Sequence, residues 1–395
     1  MLTINTFDFK NRKALIRVDF NVPLDKKTLA VTDDNRIRAT IPTLKKIIND
    51  GGSCILMSHL GRPKDGPEEK YSLKHTVQTL TSLLQVPVQF APDCIGTEAY
   101  HKAAMLQPGE VLLLENLRFY KEEEKGDLDF AQKLSGLGDI YVNDAFGTAH
   151  RAHASTTIVA RFFKDKCAGL VMAAELENAK RVLENAEKPF TAIMGGAKIS
   201  DKILLIEQLL NKVDHLIIGG GMAYTFFKAL GGNTGNSLVE ADKLDLAKDL
   251  ISKAKAMGVE MHLPIDSIVA DKFDAEANTD TANNYAIADG WMGLDIGPQA
   301  CEVFSKVVLQ SKTILWNGPL GVFEMKKFEN GTKTIAEAVA RATQAGAFSL
   351  IGGGDSAAAV AQFNLTGQVS YVSTGGGALL EYFEGKTLPG VKALE

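Results

Sequence analysis

Short apolar runs rich in β-branched residues recur along the chain, and most are separated by enough residues to form a helix. In the first half the runs cover residues 14–20, 54–58, 111–114 and 140–142. In the second half they cover residues 191–194, 215–218, 260–263, 313–316, 348–351 and 369–372. Helical patterns lie between them, among others at residues 41–49, 202–212, 241–257 and 331–345. Alternating strands and helices are typical of parallel sheets, so the sequence predicts an α/β protein.

The runs fall into two sets, separated by a helical pattern at residues 173–190 that is closed by Pro189. We therefore predict two doubly wound, Rossmann-like parallel-sheet lobes, an N-terminal one at residues 1–172 and a C-terminal one at residues 191–387. The segment 173–190 is predicted to be a helical hinge, with a cleft between the lobes. A length of 395 residues is enough for two domains.

The residues that follow the runs differ between the two halves. In the first half they are polar or charged: Asp19, Asn21, His59, Arg62, Asn116, Arg118, Asn143 and Asp144. In the second half they are mainly glycine, at residues 195–196, 219–221, 352–354 and 375–377. Ligands of open α/β sheets bind beyond the carboxyl ends of the strands. One lobe is thus predicted to offer charged side chains to a ligand, and the other to offer backbone N–H groups.

The distribution of arginine points to an anionic ligand of the first lobe. A net charge of −5 argues against a partner such as nucleic acid that is held by overall charge. Yet eight of the ten arginines precede residue 173, and guanidinium groups match the geometry of carboxylates and phosphates. A single arginine could equally form a structural ion pair, as we expect for Arg17 inside its strand pattern. Four at strand exits, Arg36, Arg62, Arg118 and Arg151, favour a site for a small polyanion.

The cysteines and histidines do not predict a metal centre. Cys54, Cys94, Cys167 and Cys301 are far apart and form no CxxC pair, which indicates reduced thiols. His150 and His153 have the spacing of metal ligands, but no cysteine or acidic cluster accompanies them. We interpret these two histidines and His59 as hydrogen-bond donors in the basic site.

The glycine-rich turns of the second half predict backbone binding of a nucleotide phosphate. No P-loop and no GxGxxG motif is present, and the missing GxGxxG disfavours a nicotinamide dehydrogenase. GGGDS at residues 352–356 instead leads from a strand into an alanine-rich helix, whose N-terminal N–H groups a phosphate could approach. Asp355 and Ser356 are helix-capping residue types, and Asp355 could also ligate Mg²⁺ beside phosphate oxygens. For any one of these stretches, a tight turn without a ligand is the alternative.

Two lysines follow the first glycine turn of the second half. Lys198 and Lys202 are four residues apart after a glycine turn, so on a helix they would share one face, although solvent-exposed lysines are the alternative.

The chain shows neither an apolar signal core at its N-terminus nor a run long enough to span a membrane, so we expect a cytoplasmic protein with no membrane partner.

Nine segments together resemble the phosphoglycerate kinase family, in the family's order and from end to end of the chain. They are RVDFNVP (17–23), SHLGRP (58–63), ENLRF (115–119), NDAFGTAHRAHAS (143–155), GGAKISDK (195–202), GGGMA (219–223), LWNGPLGVFE (315–324), GGGDS (352–356) and STGGGA (373–378).

The resemblance implies reversible phosphoryl transfer from 1,3-bisphosphoglycerate to MgADP, which gives 3-phosphoglycerate and MgATP. It places at the phosphoglycerate Asp19, Phe20, Asn21, Arg36, His59, Leu60, Gly61, Arg62, Arg118 and Arg151. It places at the nucleotide Lys202, Gly219, Gly220, Asn317, Glu324, Gly352, Gly353, Gly354, Asp355 and Ser356. Within that set it implies Asp355 for Mg²⁺, Glu324 for the ribose and the region of Gly219 and Gly220 for adenine.

The resembled reaction explains the absence of a general base, because a carboxylate acceptor is already ionised at neutral pH. Arg36, Lys198, Lys202 and the N–H groups around Gly376 are then the candidates for stabilising the transferring phosphoryl group. The family also implies a monomer whose segment 388–395 returns to the N-terminal lobe. The alternative from another functional class is a non-catalytic, two-lobed protein that binds an anion or a nucleotide.

Overall fold

The computed structural model describes residues 2–64 and 66–395, which separate into two compact units. The first unit comprises Met1–Glu177 and Lys386–Glu395, and the second comprises Asn178–Gly385. No helix among the described residues is both long and apolar enough to cross a bilayer.

A six-stranded, wholly parallel sheet forms the centre of the first unit, in the order β3-β4-β2-β1-β5-β6. Its strands are β1 (Lys13–Arg17), β2 (Ser53–Met57), β3 (Val88–Ala91), β4 (Val111–Leu114), β5 (Ile140–Asn143) and β6 (Lys166–Ala168). Its helices are α1 (Asn35–Asn49), α2 (Val77–Leu84), α3 (Thr97–Met105), α4 (Lys121–Lys125), α5 (Leu128–Ser135) and the first part of α6 (Leu170–Glu184). The central strands are continuously apolar because both of their faces are buried.

The second unit contains another six-stranded parallel sheet, in the order β10-β8-β7-β15-β16-β17. In chain order the unit's strands are β7 (Phe190–Met194), β8 (His215–Ile218), β9 (Asn233–Thr234), β10 (Glu260–His262), β11 (Asp266–Ala270), β12 (Thr279–Asn283), β13 (Ala286–Ile287), β14 (Met292–Ile296), β15 (Thr313–Asn317), β16 (Phe348–Gly352) and β17 (Tyr371–Val372). Its helices are α7 (Ile203–Leu210), α8 (Met222–Ala229), α9 (Leu244–Ala256), α10 (Pro298–Gln310), α11 (Asn330–Gln344), α12 (Gly354–Gln362) and α13 (Gly377–Phe383). Smaller sheets, β12-β11-β14 and β13-β9, lie outside the main one.

The linking helix differs from its predicted bounds. The pattern predicts residues 173–190, whereas α6 begins at Leu170 and ends at Glu184. Its start is fixed by Asp144, whose Oδ1 accepts hydrogen bonds from the N–H groups of Val171 at 2.8 Å and Met172 at 3.4 Å. Helical backbone is disfavoured just before proline, and Pro189 precedes β7 directly. Asp144, predicted at a ligand-binding strand exit, therefore stabilises the start of a helix.

The C-terminal residues belong to the first unit. The short helix α14 (Pro389–Lys392) follows the buried Leu388, and Leu394 is buried after it. The Gly390 N–H donates to the carbonyl oxygen of Ala149 at 2.8 Å. A Cβ at Gly390 would lie 2.9 Å from the Cα of Ala149, so the contact requires a residue without a side chain.

Candidate functional site

Several arginines of the first unit surround His59, which lies two residues after the end of β2 and is buried. Its Nδ1 lies 3.2 Å from Nη2 of Arg17. Burial lowers the pKa of His59 well below its usual value, and the guanidinium groups of Arg17, Arg118, Arg36 and Arg151 lower it further. Protonating this imidazole would add one more positive charge to the group. His59 is therefore neutral at physiological pH, and the positive charge belongs to the arginines.

Arg17 is held beneath His59 by a buried hydrogen-bond chain. It is the last residue of β1, and its Nε donates to Oγ of Ser155 at 2.8 Å. That hydroxyl donates to Oε1 of Glu123 at 2.6 Å, while the N–H of Ser155 donates to the other carboxylate oxygen at 3.0 Å. Burial raises the pKa of Glu123, against the opposing effect of Arg17. Arg17, Ser155 and Glu123 thus form a buried polar support for the site.

Arg36 is the second residue of α1 and is half-buried. Its Nη1 donates to Oδ2 of Asp19 at 3.1 Å and to the carbonyl oxygen of Asn21 at 3.0 Å. The side-chain oxygen of Asn21 accepts from the N–H of Gly61 at 2.8 Å. The loops after β1 and β2 are thereby tied to the arginine. Arg38, two residues further on, is exposed and forms an ion pair with Asp34 at 2.7 Å.

Arg118 is oriented by the same loop. Its Nη1 donates to the carbonyl oxygen of Gly61 at 2.8 Å, and its Nε lies 3.3 Å from a carboxylate oxygen of Glu124. Asn116 connects the two segments, since its amide nitrogen donates to the carbonyl oxygen of Leu60 at 2.7 Å and its Oδ1 accepts from the Arg118 N–H at 3.0 Å. The guanidinium is thus fixed by the carbonyl oxygen of Gly61 and by an ion pair with Glu124.

The remaining basic residues differ in burial. Nε of Arg151 donates to Nε2 of His150 at 3.2 Å, and Arg62 is exposed. Burial lowers the pKa of His153 to about 4, and the nearby guanidinium groups of Arg118 and Arg151 add to this effect. His153 therefore joins His59 as a neutral imidazole among arginines.

Phe20 and Leu60 have buried side chains in the hydrophobic core of this unit. The N–H of Phe20 donates to Oγ of Ser58 at 2.8 Å, and that of Leu60 donates to Oδ1 of Asn116 at 3.3 Å. Both side chains are thus packed in the core, and both N–H groups are hydrogen-bonded within the protein. These two residues shape the loops that carry Asn21, His59 and Arg118.

In the second unit a pocket of about 500 Å³ opens beside the glycine-rich turns. This volume is in the range of small-molecule sites. Its apolar lining comprises Tyr224, Leu238, Phe273, Met292, Leu294, Leu320 and Val322. Gly220, Glu324 and Asp355, three of the residues predicted for the nucleotide, also line it. The pocket combines apolar walls with three carboxyl groups, those of Asp295, Glu324 and Asp355.

Part of the glycine pattern has a structural origin. A Cβ at Gly195 would collide with the carbonyl oxygen of Pro319, and one at Gly318 would collide with that of Gly195. A Cβ at Gly219 would collide with the side chain of Leu320. These glycines allow neighbouring turns to pack against each other, which is the alternative that the sequence left open for each stretch.

The turn into α12 is arranged differently from the capping that its sequence suggests. Gly353 is the N-cap residue, with φ of 90°, while Asp355 and Ser356 lie in the first turn of the helix. Ser356 is buried, and its Oγ accepts from the N–H of Gly318 at 2.6 Å. The capping interpretation of these two residues is therefore wrong. Asp355 is exposed at the start of the helix.

Lys198 and Lys202 do not share a helix face, because α7 begins only at Ile203. Lys198 is exposed in the preceding loop, whereas the half-buried Lys202 donates from Nζ to Oδ1 of Asn317. Burial lowers the pKa of Lys202, although Asp201 and Asp355 act in the opposite direction.

Gly376 precedes α13 with φ of 50° and ψ of −120°. No atom lies within 4 Å of the position that a Cβ would take there. The positive φ accounts for the glycine, and the space beside it is open.

The model of the family described as "Phosphoglycerate kinase" matches residues 4–386 of the chain. The chain belongs to the phosphoglycerate kinase family. A phosphoglycerate kinase of Porphyromonas gingivalis is 54% identical, and the alignment covers 100% of both chains. The cytosolic phosphoglycerate kinase 3 of Arabidopsis thaliana is also 54% identical, over 100% of this chain and 98% of the relative.

Solved phosphoglycerate kinase structures have the same fold. The enzyme from Coxiella burnetii superposes with a TM-score of 0.89 at 42% identity, over 100% of this chain and 98% of that one. The enzyme from Pyrococcus horikoshii has a TM-score of 0.86 at 31% identity, with the same coverage. The α/β fold prediction and the family resemblance are confirmed. Family membership makes the protein a kinase, and so a transferase, rather than a non-catalytic binding protein.

Within this kinase, sequence reasoning missed the residues that support the arginines. For Arg17 the sequence predicts a structural ion pair, and no local pattern points to Ser155 or Glu123. The available signal was one arginine in the otherwise apolar run ALIRVDF. A guanidinium inside a buried strand needs several hydrogen-bond partners. Two of them, Ser155 and His59, lie far away in sequence.

Proposed function

We propose that the protein catalyses reversible phosphoryl transfer between 1,3-bisphosphoglycerate and MgADP, to give 3-phosphoglycerate and MgATP. The observation that carries this proposal is the group of arginines held at the loop after β2. Arg17 contacts His59, and Arg118 donates to the carbonyl oxygen of Gly61. Arg36 is tied to the same loop through Asn21. Such a site suits a small ligand with both a carboxylate and a phosphate.

The phosphoglycerate is assigned to the first unit. Arg36, Arg118 and Arg151 would bind its anionic groups, with Arg62 as a further cation at the surface. Asp19 and Asn21 orient Arg36 through the hydrogen bonds described above and lie where a ligand hydroxyl could bind. His59 and His153, both neutral, would act as hydrogen-bond partners rather than as charges.

The nucleotide is assigned to the second unit. The apolar pocket fits the adenine ring, with Gly220 in its wall and the exposed Glu324 in reach of a ribose hydroxyl. Gly354 has neither a positive φ nor any atom within 4 Å of its Cβ position, so nothing within the protein requires a glycine there. Space for a phosphate at the N-terminus of α12 explains this residue.

Asn317 gives a second indication of a ligand in this unit. It is the last residue of β15 and is buried, and its Nδ2 has no hydrogen-bond partner among the described residues. Buried polar groups are rarely left unpaired. The Cβ position of Gly353 lies 3.0 Å from this nitrogen, so the unpaired donor adjoins the proposed phosphate site.

Asp355 fits the Mg²⁺ of the nucleotide substrate. It is an exposed carboxylate at the pocket and directly follows Gly354. Mg²⁺ commonly binds one or two carboxylates together with phosphate oxygens and water. When bound, the ion would neutralise phosphate charge.

The transfer step itself needs charge stabilisation rather than a base. The acceptor in the ATP-consuming direction is the carboxylate of 3-phosphoglycerate, which is already ionised. We infer that Arg36, Lys198, Lys202 and the N–H groups near Gly376 stabilise the transferring phosphoryl group. Since the substrates are assigned to different units, we also propose that residues 173–190 act as a hinge that brings them together and excludes water.

The test is ATP-dependent formation of an acyl phosphate from 3-phosphoglycerate, coupled to NADH oxidation by glyceraldehyde-3-phosphate dehydrogenase. We expect activity in the wild type and a fall in kcat of about 10³-fold in Arg36→Ala, by analogy with arginine fingers. MgADP binding should be retained, because Arg36 belongs to the other unit.

Arg38→Ala is the matched control, since Arg38 is on the same helix but pairs with Asp34 at the surface. It should keep near wild-type kcat. Equal losses in both variants would remove the role assigned to Arg36. A folded wild type that binds both ligands without turnover would overturn the proposed reaction. A cytoplasmic location and a monomeric state stay predictions.

A further inference from the structure

Three metal-ligating side chains meet on two neighbouring strands of the second unit. β10 runs parallel to β8, with Glu260 opposite His215. Nδ1 of His215 lies 3.2 Å from Nε2 of His262 and 3.3 Å from Oε2 of Glu260. Nε2 of His262 lies 3.8 Å from the same carboxylate oxygen. One ligand atom from each residue therefore faces a common point.

Two of the three separations, 3.2 and 3.3 Å, are close to those of a tetrahedral zinc site, and the third is longer at 3.8 Å. With Zn–N and Zn–O bonds of about 2.0–2.1 Å, the ligand atoms of a regular tetrahedron lie about 3.3–3.4 Å apart. The same donor set, two histidines and one glutamate, holds zinc in known open sites. We propose that His215, Glu260 and His262 bind one Zn²⁺, with water in the fourth position.

The surroundings favour a cation at this point. The side chains of His215 and His262 are only 22% and 17% exposed, whereas that of Glu260 is 70% exposed, so an ion can reach the site past the carboxylate.

The cluster is separate from the proposed nucleotide site. None of its three residues lines the pocket, and His215 begins β8 whereas the glycine turn 219–221 follows the end of that strand. β10 is an edge strand of only three residues. A zinc ion here would join the edge strand to its neighbour, so we assign it a stabilising role rather than a catalytic one.

The test uses the full-length protein, treated with a chelator and free of nucleotide and Mg²⁺. Zinc binding is measured by competition with a chromophoric chelator, and the coordination geometry by the visible absorption of Co²⁺ in place of zinc. We expect one site per chain with tetrahedral Co²⁺ absorption and a Tm that rises with zinc concentration. Both His262→Ala and Glu260→Gln should weaken binding by at least about tenfold, as expected for loss of a ligand.

His101→Ala is the control, since His101 is an exposed histidine on α3 of the first unit. It should bind zinc as the wild type does. Glu260→Gln changes only an exposed side chain, so the test stands even if His262→Ala unfolds. Unchanged affinity in Glu260→Gln and His262→Ala, or no saturable binding in the wild type, would show that the trio is only a hydrogen-bonded cluster and would overturn the proposal.

Discussion

At the residue scale, Arg17 illustrates what local sequence can and cannot predict. Its position in an apolar run predicts a buried strand residue, and it is buried. The run does not predict that this guanidinium contacts both His59 and Ser155, which is 138 positions further along the chain. Leaving such a cation without its partners would cost several kcal/mol. Its place in the site is therefore decided by tertiary contacts that a single sequence does not contain.

The buried carboxyl group of Asp295 should make the stability of the protein depend on pH. Asp295 is buried at the wall of the pocket in the second unit, and burial raises its pKa from 3.8 to about 8. Between those values the folded state holds a proton that the unfolded state has lost. The contribution of Asp295 to the free energy of unfolding therefore falls as pH rises through this range, and it is level above pH 8. Asp295→Asn removes this dependence.

The measurement is urea unfolding of wild type and Asp295→Asn at several pH values, followed by tryptophan fluorescence. Both tryptophans, Trp291 and Trp316, lie in the second unit, so the signal reports on the relevant part of the chain. The free energy of unfolding of the wild type relative to the variant should fall by up to roughly 1.4 kcal/mol per pH unit. The exposed Asp280→Asn should give no such slope, and a flat difference for Asp295→Asn would contradict the prediction.

At the element scale, the strands that the sequence predicts are mainly those that are buried in the structure. The continuous apolar runs of β1, β2, β4, β7, β8, β15 and β16 are visible in the sequence because these strands are covered on both faces. The edge strand β3 and the solvent-facing β12 were missed. Val88–Ala91 is only half-buried and Thr279–Asn283 is mostly exposed, so neither has an apolar pattern. Exposed strands are specified by their neighbours rather than by their own residues.

The start of α12 gives a prediction at the same scale. Adding a Cβ at Gly354 meets no atom of the protein and requires no unusual φ, and alanine favours helix. We expect Gly354→Ala to keep or slightly raise Tm while it weakens MgADP binding at least tenfold, because the methyl group would occupy the space proposed for a phosphate. Isothermal titration calorimetry measures the affinity.

Gly367→Ala is the matched control, since its Cβ position is equally open but lies outside the proposed site. Its affinity for MgADP should match the wild type. If Gly354→Ala also binds MgADP normally, phosphate does not approach this turn. Weakened MgADP binding in Gly354→Ala alone would show that a ligand requires this glycine. Gly195 and Gly318 differ, because the packing of neighbouring turns already explains why they lack a side chain.

At the scale of the whole molecule, the two units share one architecture, and one proposed ligand site lies in each. The same rule, that ligands bind beyond the carboxyl ends of parallel strands, leads to arginines in one unit and to glycine turns in the other. Alternation of strands and helices predicted both sheets. The composition of the strand exits is the reason for proposing two different sites, whereas the buried contacts around each proposed site emerge only from the folded chain.

The C-terminal segment tests how far the two sites depend on one another. Residues 386–395 belong to the first unit, and the Gly390 N–H binds the carbonyl of Ala149, two residues before Arg151. Removing residues 388–395 takes away this contact and the buried Leu388 and Leu394.

We expect the truncated protein to lose turnover by at least about tenfold while its MgADP affinity, a property assigned to the second unit, stays within about twofold. Gly390→Val should act in the same direction through its clash with Ala149. Lys392→Ala, at an exposed position of the same helix, should not. Turnover that survives the truncation would show that the segment is dispensable for transfer, whereas a parallel loss of MgADP binding would show that it supports the whole molecule rather than the phosphoglycerate site.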